Sequence, residues 1–154
     1  MDIEKLHRAH EEFLAVVADG GFGPPPAGEW NAERVLAHVA AADMGFASAA
    51  LAIAAGQRPV YDNRYSLDEW NLHRMVAAAG GLPGLADLVR RQGELLCAVA
   101  GTLTDEDLAV ELPILIVSGP ELMVDEPRPI GQMLAGLGEF HVPMHAAQLA
   151  SLRS

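Results

Sequence analysis

Four long stretches of this chain carry apolar side chains every three or four residues, the spacing that places them on one face of an α-helix. Glycine or proline bounds these stretches, and both residues interrupt helices: proline lacks the backbone donor, and glycine readily leaves the helical conformation. The pattern therefore predicts an all-α fold class, a four-helix bundle held together by its apolar faces. The predicted main helices are 2–18, 31–55, 83–100 and 129–152.

Two connections between these helices carry local structure of their own. Ser66-Leu67-Asp68-Glu69 has the form of a capping box, which predicts a short extra helix at 67–79. The segment before the last helix is irregular or hairpin-like, because residues 112–117 are apolar and β-branched and Ser118-Gly119-Pro120 indicates a turn. By its length, 1–154 is interpreted as a single helical bundle domain.

Composition argues against several classes of partner. The formal net charge is −11, so the chain offers no basic patch to nucleic acid or to an anionic membrane surface. No uninterrupted run of 18 apolar residues is present to span a membrane, and the charged first residues lack a signal-peptide pattern. A single cysteine, Cys97, excludes an internal disulfide and fits a reducing cytoplasm. We therefore expect a cytoplasmic protein in which Cys97 is a packing residue.

Two histidines four residues apart, His141 and His145, lie in the last predicted helix, and this spacing lets both imidazoles reach one metal ion. The predicted apolar line of that helix is Ile130, Leu134, Leu137, His141, Met144 or His145, Gln148 and Leu152. His38 falls on the apolar stripe of the second helix, so three imidazoles can converge if the two helices are neighbours. Three protein ligands leave one position open for water, which is the arrangement of catalytic zinc sites.

The alternative interpretation is that these three histidines are polar core groups that bind no metal. His7 and His10 in the first helix are interpreted as surface histidines, and His73 as part of a solvated face. Pro143 lies between the two ligands of the last helix, where it removes a hydrogen bond at a cost of about 3 kcal/mol. A helix selected for stability alone would avoid it, and local rules are often broken at functional sites.

The sequence resembles the DinB/YfiT-like superfamily, which includes the mycothiol-dependent maleylpyruvate isomerases. The resemblance is carried by Trp30, eight residues ahead of His38 in a Val-Leu-Ala-His-Val context, and by the late His-x-x-x-His with Ala-Gln-Leu after it. It covers most of the chain. It implies a four-helix bundle that holds a divalent metal through His38, His141 and His145, with zinc as the first expectation and nickel or iron as further candidates.

The resemblance also implies an activity. Characterised members act as thiol transferases, isomerases or hydrolases, often with a low-molecular-weight thiol such as mycothiol. The expected function is a metal-dependent transferase or isomerase that acts on a small-molecule substrate, and no candidate general base stands out beyond His73 and Asp43. The alternative is a non-catalytic bundle that binds a small molecule or a partner, with metal either structural or absent.

Two further expectations concern packing. Five side chains are predicted to be largely buried around the site: Trp30, Phe46, Leu134, Leu137 and Phe140. We also expect a homodimer, because bundles of this kind often pair through helix faces.

Overall fold

The computed structural model describes residues 2–153 and is mostly helical. Its helices are α1 (Ile3–Asp19), α2 (Ala32–Ala54), α3 (Glu69–Ala79), α4 (Leu82–Ala100), the single turn α5 (Asp105–Leu108), α6 (Ile130–Gly136) and α7 (Val142–Ser151). Its strands are β1 (Tyr61–Asp62), β2 (Glu111–Ser118) and β3 (Glu121–Pro129). A 3₁₀ turn, Asn63–Ser66, follows β1, and a π-helical turn, Leu137–His141, joins α6 to α7. The main helices and the short extra helix lie close to their predicted bounds.

The predicted four-helix bundle is present only in part. The helices α1, α2, α4 and α7 pack against one another as expected. The last predicted helix, however, is interrupted by the π-turn, and a small sheet is added to the helices. The fold is therefore a mostly helical bundle with a β-appendage.

Helix starts follow from side-chain caps, with one correction. Asn31 caps α2 as its sequence position suggests, because its side chain accepts a hydrogen bond from the Arg34 backbone N–H at 2.9 Å. The predicted cap of α3, Ser66, is wrong: the cap is Asp68, which accepts from the backbone N–H of Asn71 at 2.9 Å. Ser66 belongs to the preceding 3₁₀ turn and is fully buried, so α3 begins later than predicted.

The predicted hairpin is confirmed, and it forms part of a three-stranded sheet of order β1-β2-β3. Strands β2 and β3 are antiparallel, whereas β1 pairs in parallel with β2 through Tyr61 and Ile114. Leu112 and Ile114 point into the core beside residues of α1, α2, α4 and α6. The sheet thus covers part of the bundle, and two residues of β1 are too few to predict from sequence.

Helix α2 lies at the centre of the core. Its predicted stripe is buried throughout, from Val35 to Ile53. By length and composition alone it is also the one helix among residues 2–153 that could cross a membrane. Because 72% of its most apolar window is buried inside the molecule, its hydropathy is accounted for by its place in the core.

Burial confirms most of the packing predictions and overturns two of them. Phe46, Leu134 and Leu137 are buried, and Trp30 is half-buried. Phe140 is 71% exposed, contrary to prediction, because the π-turn adds one residue to the helix and each residue turns a helix by about 100°. His10 is 5% exposed and so is not a surface histidine.

Candidate metal centre

The structure brings His38, His141 and His145 together. One ligand atom from each side chain lies within 4.8 Å of the other two, which is the arrangement of a group that could hold a metal ion. The ring centroids of the three imidazoles are 4.7–5.1 Å apart. His38 and His145 are buried, and His141 is half-buried. The predicted convergence of the rings is therefore present, while the binding of an ion stays a prediction.

The π-turn decides how the last helix presents two of these rings. The Val142 backbone N–H donates to the carbonyl of Leu137, five residues earlier, so this turn holds one residue more than an α-helical turn. As a result Val142, not His141, occupies the core position and is fully buried. His141 moves to the edge of the apolar face, where it meets His38.

Beyond Leu137 the predicted apolar line is confirmed at His145 and Leu152, which are buried, but it is wrong at Met144, and His141 and Gln148 are only half-buried. The buried positions of α7 are Val142, His145 and Leu149, whereas Met144 is 56% exposed. The register shift leaves His141 and His145 on a shared flank of the helix, with ring centroids 4.7 Å apart. The i,i+4 relation between the two ligands survives, but the face that they share is not the one predicted.

Pro143 is compatible with this geometry. It lies in the first turn of α7, directly after the π-turn, where a missing backbone donor disturbs a helix least. The cost expected for proline inside a regular helix is therefore largely avoided. Helix irregularities of this kind are frequent at functional sites.

Hydrogen bonds determine which nitrogen of each ring carries the proton. His38 Nδ1 lies 2.7 Å from the Ser66 carbonyl oxygen, and a carbonyl can only accept, so Nδ1 donates and Nε2 keeps its lone pair. His145 Nδ1 donates in the same way to Gln148 Oε1 at 2.8 Å. Metal-binding histidines are usually held in this manner, with the second ring nitrogen donating to an oxygen.

His141 differs from the other two rings. Its Nε2 lies 3.0 Å from His38 Nε2, and its Nδ1 is buried with no hydrogen-bond partner among residues 2–153. An unsatisfied buried polar atom costs about 1–3 kcal/mol, and such atoms are few in native proteins. His141 is therefore not a satisfied polar core residue, which fits a metal-binding role better than a structural one.

All three imidazoles are neutral at neutral pH. Burial lowers the pKa of His38 to about 4, helped by the nearby His145. Burial also lowers the pKa of His145, and it holds the pKa of His141 well below 6.5 together with the charges of His145, His38 and His10. Neutral imidazoles have the free lone pair that a metal requires, so the donor set suits a divalent cation.

The half-buried Trp30 covers one side of the site. Its ring centroid lies 5.2 Å from that of His38, at an interplanar angle of 57°. The guanidinium of Arg34 lies 5.8 Å from the centre of the Trp30 ring on the outer side. Trp30 is therefore an aromatic neighbour of the proposed metal ligand His38.

The two candidate general bases do not join the three histidines. His73 is exposed on α3, as the solvated-face interpretation predicts. Asp43 is fully buried, and its Oδ2 lies 2.8 Å from His10 Nε2, so its hydrogen-bond partner comes from α1. Cys97 is 8% exposed, and burial, with a smaller contribution from Asp43, raises the pKa of its thiol to about 11, which fits the predicted packing residue.

Sequence reasoning missed the role of two residues that hold the rings: Ser66, whose carbonyl accepts from His38, and Gln148, whose side chain accepts from His145. Gln148 lies three residues after His145 on the same helix, so i,i+3 spacing could have identified it. Ser66 lies 28 residues from His38, and no local pattern signals such a pairing.

Comparison with known proteins supports the fold. No family model and no curated protein matches the sequence. Among solved structures, the chain is similar to the crystal structure of the mycothiol-dependent maleylpyruvate isomerase, with a TM-score of 0.70 and 14% sequence identity. The match covers 99% of this chain and 60% of that one, so the chain spans about 60% of the length of its structural neighbour. At this identity the likeness shows the fold alone: the chain shares the overall fold of that isomerase, in agreement with the fold that the sequence resemblance predicts.

Proposed function

We propose that His38, His141 and His145 hold one divalent metal ion and that the protein is a metal-dependent transferase or isomerase. Zinc is the first candidate, with nickel or iron next, because imidazole suits all three. The cosubstrate is a low-molecular-weight thiol such as mycothiol, the substrate is a small molecule, and the setting is the cytoplasm. The observation that carries the proposal is that three neutral imidazoles converge, with one ligand atom of each within 4.8 Å of the other two. In addition, the buried Nδ1 of His141 has no hydrogen-bond partner among residues 2–153.

The residues of the site have distinct tasks in this proposal. His38 and His145 are held in the ligating tautomer by the Ser66 carbonyl and the Gln148 side chain. His141 is half-buried, whereas His38 and His145 are buried. His38, His141 and His145 would hold a divalent ion and leave it one open position, and such an ion would supply the polarisation that lowers the pKa of a thiol or a water molecule.

The thiol and the reaction type rest on likeness of fold. The solved neighbour is named as mycothiol-dependent and as an isomerase, and this chain corresponds to 60% of it. Folds host many chemistries, so the thiol is proposed by analogy, whereas the metal ligands are proposed from the geometry of this chain. A homodimer is also proposed, because bundles of this kind often pair through helix faces.

Metal analysis of the purified protein, followed by a competition titration with a chromogenic chelator, tests the metal site. We expect one equivalent of ion in the parent and no stoichiometric binding in His145→Ala. The matched control is His73→Ala, which removes an exposed histidine outside the site and should bind as the parent does. Equal affinity in His145→Ala and the parent would show that the site assignment is wrong.

One observation favours the second candidate function, a non-catalytic bundle without a catalytic metal. His141 Nε2 can donate to His38 Nε2 at 3.0 Å, so these two atoms can satisfy each other without an ion. Cobalt-loaded protein separates the candidates, because a thiol bound to cobalt gives a sulfur-to-metal charge-transfer band. The enzyme proposal expects this band when the thiol is added, and its absence favours the second candidate.

A further inference from the structure

A chain of hydrogen bonds connects the β-hairpin to the metal site, and it begins at Asn63. The Asn63 side-chain amide bonds both backbone groups of Val117: Nδ2 donates to the carbonyl at 2.9 Å, and the Val117 N–H donates to Oδ1 at 2.9 Å. The backbone pairing of β1 with β2 reaches Asp62 and Leu115. The Asn63 side chain therefore adds one more rung beyond the end of that ladder.

The place on β2 where this rung forms is irregular. The register between β2 and β3 shifts between Ile116 and Val117, as in a β-bulge. Bulges redirect backbone groups and are common next to active sites. At this bulge, both hydrogen-bonding groups of Val117 are taken up by a side chain from outside the hairpin.

The second half of the chain leads from Asn63 to a proposed metal ligand. Ser66 Oγ donates to the Asn63 carbonyl at 2.8 Å, which closes the 3₁₀ turn. The carbonyl of the same buried Ser66 accepts from His38 Nδ1 at 2.7 Å. The position of that carbonyl thus depends on a turn that β2 holds in place through Asn63.

We propose that Asn63 is a positioning residue of the metal site, through which the occupancy of the three histidines and the order of the hairpin are coupled. By holding the 3₁₀ turn against β2, Asn63 keeps the Ser66 carbonyl where it sets the tautomer and the orientation of the His38 ring. The inference rests on the proposed metal site. Partners that orient a ligand in this way are typically worth 10–100-fold in metal affinity. Because coupling free energies are reciprocal, an ion bound by the histidines also stabilises the rung at Val117.

The first test compares variants in metal titration. Asn63→Ala is expected to weaken zinc binding about 10-fold or more, within the range of such partners. Asn71→Ala is the matched control, because Asn71 Nδ2 donates at 3.2 Å to the carbonyl of Tyr65 in the same turn, and no metal ligand is bonded to that carbonyl. It should bind zinc close to the parent's affinity. Zinc affinity in Asn63→Ala equal to that of the parent would overturn the proposal.

A second variant covers the case in which Asn63→Ala does not fold. Asn63→Asp keeps an acceptor for the Val117 N–H and loses the donor to the Val117 carbonyl, so its zinc affinity should be lower than that of the parent. Zinc affinity in Asn63→Asp equal to that of the parent would overturn the proposal.

Two NMR measurements test the proposal without relying on a change in zinc affinity. In the metal-free parent, ring nitrogen shifts should show His38 protonated on Nδ1 alone, and Asn63→Ala should show a mixture of tautomers. In the parent, zinc should slow hydrogen exchange at the Val117 amide and leave an exposed helix amide such as that of His73 unchanged. Unchanged tautomers together with unchanged Val117 exchange would overturn the inference. A parent that binds no zinc would instead defeat the proposed function, and the metal-free tautomer measurement would still judge the role of Asn63.

Discussion

Two sites among residues 2–153 have histidine at their centre, the His10–Asp43 pair and the group of His38, His141 and His145, and their surroundings differ. His10 has an oxygen acceptor at each ring nitrogen: the Leu6 carbonyl at 3.0 Å from Nδ1 and Asp43 Oδ2 at 2.8 Å from Nε2. Satisfying both acceptors takes two protons, so the His10–Asp43 pair holds one proton more than a neutral imidazole beside a carboxylate. In the proposed metal site, ring nitrogens instead face one another.

The direction of the pKa shifts follows these partners. Burial lowers the pKa of His10, but the hydrogen bond and the charge of Asp43 outweigh it and hold that pKa above 6.5. Burial raises the pKa of Asp43 against the opposing effect of His10, so both pKa shifts favour the state in which the pair holds a shared proton. The imidazoles of the metal site have no such carboxylate, and burial lowers their pKa values. Burial alone therefore does not indicate a metal ligand; the groups facing the ring do.

The largest expected effect separates the two groups by metal binding. His141→Ala should abolish stoichiometric zinc binding, because it removes one of three ligands. Asp43→Asn changes the other group and should leave one zinc bound with an affinity near the parent's. Competition titration measures both, and a loss of zinc in Asp43→Asn as complete as in His141→Ala would mean that the two groups form one site.

For the free energy of unfolding, in contrast to zinc binding, the larger effect is expected at the His10–Asp43 pair. His10→Ala leaves the Asp43 carboxyl buried without its partner, and breaking such a pair typically costs about 3–5 kcal/mol. Urea unfolding of the metal-free protein measures the free energy. The exposed His7 on the same helix is the control, and His7→Ala should change the free energy by less than about 0.5 kcal/mol. If His10→Ala also changed the free energy of unfolding by less than about 0.5 kcal/mol, the His10–Asp43 pair would contribute little to stability.

A smaller effect is expected at Gly93, which makes room for His10. A Cβ at Gly93 would lie 2.6 Å from His10 Cδ2, so Gly93→Ala must displace the ring and should destabilise the protein by about 1–3 kcal/mol. At Gly136 in α6, an added Cβ meets no atom within 4 Å outside its chain neighbours and the nearby backbone of its own helix, so Gly136→Ala should stabilise by about 0.5–1 kcal/mol. Thermal unfolding of both variants checks the contrast, and equal shifts would contradict the close packing of His10.

The smallest expected effect is a dependence of stability on pH. Because the pKa of His10 is raised in the folded protein, the stabilisation from its proton is complete below pH 6.5 and is lost as pH rises through the folded-state pKa. The raised pKa of Asp43 acts in the same direction. The free energy of unfolding of the parent should therefore fall toward alkaline pH more steeply than that of Asp43→Asn. Parallel curves for the two proteins would refute the shared proton.

Several features of the fold and the site were predictable because they depend on neighbours in sequence. Apolar spacing predicts α1, α2 and α4, and Asn31 caps α2 through a contact three residues away. The apolar, β-branched run at 112–117 and the turn after it predict the hairpin. The i,i+4 spacing, the apolar stripe of α2 and the family resemblance predict the three histidines as a group, and the structure brings their rings together.

By itself, then, the sequence determined the helices, the hairpin and the residue types that face the candidate site. The tertiary structure alone decided the partners of those residues: His10 and Asp43 are 33 positions apart, and Asn63 and Val117 are 54 apart. It also decided the π-turn, where Gly138 lets α1 approach so closely that a Cβ would lie 2.8 Å from the Leu6 Cα. The physical reason is that periodicity reports which side of a helix is apolar. Which distant donor meets which acceptor, and where a helix gains a residue, depend on the packing of elements far apart in the chain.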